Sequence, residues 1–236
     1  MSPPERPSRL SWSSASERRG GPFAGSHGGR WVGVLAIVIL ILITINTIVT
    51  PSKGLAGIAP GKQMPPFAAP LATGDLQGSV NVAAHPNEGP AKHAACTVRG
   101  PQILNICQLY EQGPVVLALF IEGSACDGVL GEMQTLVRAG GRFSGVRFAA
   151  VALKGERSSL RQLVRSRGLT FPVGIDSEGV LPGLYAMASC PQITFAYPGG
   201  VVQSKALLTT PSSALLRRRV GELVAESVAR GWRPSQ

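Results

Sequence analysis

Four cysteines carry most of the chemistry open to this chain of 236 residues: Cys96, Cys107, Cys126 and Cys190. Cys126 is the most suggestive of them. It lies in FIEGSACDGVLGEM, residues 120–133, just after the apolar run Pro114–Ile121 and where a helical pattern begins. A thiol at the start of a helix meets unpaired backbone N–H groups that favour the thiolate, the form that attacks disulfides. A second cysteine three positions on would complete an exchanging pair, but Val129 stands there. Exchange within one helical turn is excluded, so any partner thiol comes from elsewhere in the chain.

The neighbours of Cys126 pull in different directions. Asp127 sets a negative charge beside the sulfur and opposes thiolate formation, although an acidic residue also suits a helix start. Glu122 is placed to accept a proton from Cys126, or stands as an exposed turn carboxylate. Cys96 and Cys107 lie eleven positions apart and flank TVRGPQILNI. Such a pair closes a loop where disulfides persist, contributing about 3 kcal/mol on a chain-entropy account. Four cysteines allow three pairings. His93 and Cys96 have ligand-like spacing, but there is no second such pair, so no metal and no cofactor are expected. No Gly-x-Ser-x-Gly motif or serine with a credible histidine supports hydrolase chemistry.

The elements that must position these residues read as follows. Pro114–Ile121 and Val146–Leu153 are apolar runs suited to buried strands. Gly128–Ala139 has Val129, Leu130, Met133, Leu136 and Val137 at helical spacing, with Gly140 and Gly141 as a stop. Ser158–Arg167 carries Leu160, Leu163 and Val164 on one face, with Arg157, Arg161 and Arg165 on another. Phe171–Ile175 is a short strand. Pro191–Tyr197 and Val201–Leu207 read as strands of a hairpin turned at Pro198-Gly199-Gly200, and Ala214–Val228 as a last helix. Ahead of these, a short strand is expected near Val80–Ala83, a loop over HPNEGPAKHAA, and a strand or turn over Ile103–Leu109. Strands alternating with helices, closed by a hairpin and a helix, give an α/β sandwich with a mixed sheet.

The amino-terminal part is of another kind. No charge occurs between Arg30 and Lys53, and WVGVLAIVILILITINTIVT, from Trp31, is about long enough to cross a ~30 Å hydrocarbon layer as a helix. A cleaved signal peptide is the competing reading, but its apolar region is shorter and is followed by small residues at the cleavage site. The expected organisation is a disordered cytoplasmic tail over 1–30, a transmembrane helix over 31–51, a linker over 52–63 and a folded domain over 64–230. Arg6, Arg9, Arg18, Arg19 and Arg30 make the leading flank the more basic one, which keeps it in the cytoplasm and the domain outside. The net charge of +10 is spread out, with no block longer than Arg217-Arg218-Arg219. Nucleic-acid binding is therefore not expected, and the basic surface reads as solvated or drawn to anionic lipid.

Several stretches carry a family resemblance. MPPFAAPLATG, GPVVLALF, CDGVLGEMQTL and FPVGIDSEGVLPGLYAMASCPQITFAYPGG together resemble the thioredoxin-like superfamily over residues 64–228. The likeness is to its membrane-anchored TlpA-like and peroxiredoxin-related bacterial redoxins. It implies a thioredoxin-like sandwich, packing of Tyr185 in the core, and a cis-proline at Pro191. It also implies that Cys190, just before that proline, meets Cys126; beside it stands the loop-closing pair expected of Cys96 and Cys107 from their spacing. Cys126 would then be the nucleophile and Cys190 the resolving thiol, with protein thiols or disulfides, or an unidentified reductant, as partners. An inert staple and two separate thiols stay open beside this, as does a noncatalytic binding or scaffold domain on the membrane. A peroxidase variant would need a supporting threonine and arginine that no motif around Cys126 supplies.

Overall fold

The computed structural model describes residues 32–41, 57–76, 95–123 and 125–234. Two compact units divide between Pro51 and Ser52. In the first, residues 32–41 form helix α1, whose valine, leucine and isoleucine side chains are exposed. No helix among the described residues is long and apolar enough to cross a membrane. The rest of the expected span, like the strand expected at Val80–Ala83, lies outside the described residues.

The second unit is built on β3 (Val115–Phe120), which is central in the order β5-β4-β3-β6. β4 (Arg147–Ala152) and β5 (Val173–Ile175) run parallel to β3, and β6 (Gln192–Ala196) runs antiparallel on its other side. Every residue of β3 is buried because each face of the sheet has its own cover. The two-residue strand period sends Val116, Ala118 and Phe120 to one core, shared with helix α3 (Val129–Ala139) and helix α6 (Ser213–Ala229). Val115, Leu117 and Leu119 go to a second core with Phe67, Leu104, Ile106, Leu181 and Tyr185. Burying each such side chain stabilises the fold by about 1.5–3 kcal/mol.

Short elements complete the second face. β1 (Ala68–Pro70) pairs antiparallel with β2 (Ile103–Asn105). Helix α2 (Ile106–Gln112) then follows at once, so the stretch expected as strand or turn to Leu109 is half helix. Asn105 accounts for the switch: its side chain accepts the Gln108 amide at 3.2 Å and satisfies a helix-start donor. Helix α4 (Arg157–Ser166) follows β4 and fixes the leading segment. Arg157 donates to the carbonyls of Leu71, Gly74 and Leu76 at 2.6–3.0 Å, and Arg161 donates to those of Ala72 and Gly74. Between β5 and β6 stands the single turn α5 (Leu181–Leu184), which sequence reading did not anticipate. Its starting amides are held by the buried Asp176, whose carboxylate accepts from Gly179, Val180 and Leu181.

Two boundaries differ from expectation. The hairpin's second arm, expected as a strand over Val201–Leu207, meets β6 only at isolated bridges, Val202 with Ala196 and Leu207 with Ile193. Between those bridges it leaves the ladder, and Val201 pairs with Gln63. That pairing draws in residues 57–63, seven of the twelve positions expected as a linker. The Gly57 amide donates to the Ala186 carbonyl at 3.1 Å, and the Gly61 amide to that of Val202 at 2.8 Å.

Candidate active site

Strand direction brings the distant cysteines together. β3 ends at Phe120 and β6 begins at Gln192, and their antiparallel register pairs Leu119 with Gln192. Continuing that register sets Ile121 opposite Cys190, and the Ile121 amide donates to the Cys190 sulfur at 3.3 Å. The same end of β3 leads into the 3-10 turn Ala125–Gly128, which holds Cys126 and runs into α3. Cys126 and Cys190 form a disulfide with Cα atoms 5.4 Å apart across 64 positions of sequence. The Cys190–Pro191 peptide bond is cis. Cys96 and Cys107 form the other disulfide, also with Cα atoms 5.4 Å apart, and it ties the turn before β2 to α2.

Each half of the site has its own support. The Cys126 turn is gripped by Arg167 at the end of α4, which donates to the Asp127 carbonyl at 2.7 Å and to its carboxylate at 2.6 Å. The acidic neighbour that sequence reading set against a thiolate is thus ion-paired. Gln134 of α3 accepts the Thr170 amide at 2.8 Å and ties that helix to the start of β5's approach. On the other side, the buried Gln192 accepts from the Ala188 amide and donates to the Tyr185 carbonyl at 2.9 Å. Ser189 donates to the Leu208 carbonyl. The loop that presents Cys190 is held at both ends.

The two sulfurs differ in surroundings. Cys126 is 6% exposed, and its sulfur faces the Ile121 carbonyl at 3.8 Å. Cys190 is half-buried and forms part of the wall of an open groove of about 450 Å³, with Ile121, Leu153, Lys154, Pro182 and Met187. Val129, in the place of a helical partner thiol, is fully buried in the core under α3. Glu122 lies near the site on the turn after β3. Burial holds its carboxyl above the ordinary glutamate range, and the charges of Asp127 and Glu156 add to the effect. Tyr185 is fully buried, donates to the Pro65 carbonyl at 2.8 Å and meets the Phe67 ring edge-on at 5.8 Å. Its role is packing. Arg167 was missed because its partner lies forty positions away, and only a closed α4 crossover reveals the contact.

Among the described residues, no group of three or more histidine, cysteine or acidic side chains could hold a metal ion. No family model matches the sequence, and no curated protein matches it. Solved structures do match. A protein assigned as a protein disulfide isomerase from Bacteroides thetaiotaomicron shares 14% identity over 75% of this chain and 98% of its own, with a TM-score of 0.53. Peroxidoxin BcpB from Mycobacterium tuberculosis shares 11% over 72% of this chain and 97% of its own, at 0.51. A protein assigned as thiol:disulfide interchange protein DsbE from Chlorobium tepidum shares 16% over 71% and 99%, at 0.50. Identities this low speak to architecture alone, and the architecture agrees across nearly the whole of each of those chains. The domain that holds Cys126 and Cys190 has the thioredoxin-like fold.

Proposed function

We propose that the chain is a membrane-anchored, extracytoplasmic thiol–disulfide oxidoreductase that exchanges its Cys126–Cys190 disulfide with thiols of partner proteins. The observation that carries this reading is the disulfide itself, closed across 64 positions at the end of β3 beside an open groove. The groove leaves the Cys190 end of the bond open to an incoming thiol. The Cys96–Cys107 bond, with Cys107 1% exposed, fits the staple role instead. The anchor rests on the uncharged run after Arg30 and the more basic flank before it.

The test is the reduction potential of the full chain in detergent, equilibrated with glutathione or dithiothreitol buffers. A value between about −120 and −270 mV is expected for an exchanger, and one below about −300 mV marks a structural bridge. A binding domain without catalysis is the second reading, and the burial of Val129 in place of a helical thiol favours it. Insulin reduction at equal rates by the wild type and Cys126→Ser would support that second reading.

A further inference from the structure

We infer that Cys190, and not Cys126, is the sulfur that receives an incoming thiol. This rests on the reading of the pair as exchangeable, and it inverts the order expected from a cysteine at a helix start. Exchange requires the attacking thiolate to reach one sulfur from the side opposite the other, so access decides which sulfur is struck. Cys126 is 6% exposed in its turn, whereas Cys190 borders the groove.

Access directs the first attack; the local charges act later, on Cys190 as the thiolate released in the second step and as the attacking thiol of the reduced protein. The Ile121 backbone divides its two polar groups between the sulfurs. Its N–H points at Cys190 and favours a thiolate there, while its carbonyl faces Cys126 and favours a protonated thiol. Lys154 lines the groove beside Cys190, whereas the charge of Asp127 beside Cys126 is paired with Arg167. The field at the start of α3 also reaches Cys126, which lies within one turn of Val129 in the 3-10 turn that runs into the helix. That field assists Cys126 as the departing thiolate of the first step.

A substrate thiolate attacks the Cys190 sulfur, and a substrate–Cys190 disulfide forms as the Cys190–Cys126 bond breaks. The bonding electron pair leaves on Cys126, which takes up a proton. A second thiol of the same substrate, as its thiolate, then attacks the substrate sulfur of the mixed disulfide and releases Cys190. The substrate dithiol is oxidised by two electrons, and the protein disulfide is reduced to two thiols.

The oxidised wild-type chain is treated with glutathione, quenched with N-ethylmaleimide and mapped by peptide mass. Glutathione on Cys190 with maleimide on Cys126 is expected; the opposite placement overturns the inference. In a second arm, Cys126→Ser and Cys190→Ser are titrated with a small aromatic disulfide. Cys190, left free in the first variant, is expected to react at least about tenfold faster than Cys126 in the second. Equal rates, or a faster Cys126, overturn it. If the wild-type disulfide resists reductants in the glutathione range while the tenfold contrast persists, the oxidoreductase reading fails and the order of reactivity stands.

Discussion

Arg167 makes two charge-assisted hydrogen bonds to one residue, and their loss should be visible twice. Asp127 is mostly shielded from water, with a side chain 14% exposed, so removing its partner strands a carboxylate next to Cys126. Arg167→Met is expected to destabilise the oxidised protein by about 1–2 kcal/mol, measured by urea denaturation. It should also slow the release of Cys126 as a thiolate, read as slower reduction by dithiothreitol. Glu122 gives a prediction with a pH sign. Its folded pKa lies above the unfolded one, so folding disfavours the charged form. Its contribution is most favourable at low pH and is lost as the pH rises through the raised value. Glu122→Gln should therefore raise stability at pH 7 by less than about 1 kcal/mol, with no gain near about pH 3.5. Denaturation midpoints at the two pH values check this. Cys126 announced itself because strand, turn and helix are local patterns. The order proposed for the two sulfurs was not legible in the sequence, since it depends on which backbone groups face them across a sheet.

At the scale of elements, Asn105 does more than one task. Its oxygen caps α2, and its amide nitrogen donates to the Ala95 carbonyl at 2.9 Å and to the Val98 carbonyl at 2.8 Å, with the residue 2% exposed. Asn105→Ala removes the cap and leaves these carbonyls without that donor. A loss of about 2–3 kcal/mol is expected in a urea titration, with little change in Cys126–Cys190 exchange. The cap was present in the sequence as Asn105 followed three positions later by Gln108, a helix-start pattern hidden by the β-branched residues around it. Long buried strands and amphipathic helices such as β3, α3 and α6 were legible from period alone. The broken hairpin arm was not. Its apolar residues stand at its two ends, Val201-Val202 and Ala206-Leu207, around a polar middle, and Gln63 takes Val201 as partner from more than a hundred positions away.

At the scale of the whole molecule, the division between Pro51 and Ser52 sets the segment proposed as an anchor apart from the unit that holds the four cysteines. A chain starting at Ser52 is expected to be recovered without detergent and to melt as the full chain does. The full chain should stay with membranes through carbonate extraction. The Cys126–Cys190 bond encloses α3, β4, α4, β5 and α5, the two parallel crossovers included. Opening a covalent ring of that circumference returns about 4 kcal/mol of configurational freedom to the denatured ensemble. By thermodynamic symmetry, whatever stability the closed ring confers on the native state, the native state confers on the ring. About 1.4 kcal/mol corresponds to 30 mV for this two-electron couple, so a fold that drew the full amount from its ring would be a poor electron acceptor. A working oxidant must already hold its two thiols in place when reduced, and the gap between the oxidised and reduced melting curves would show how far this one does.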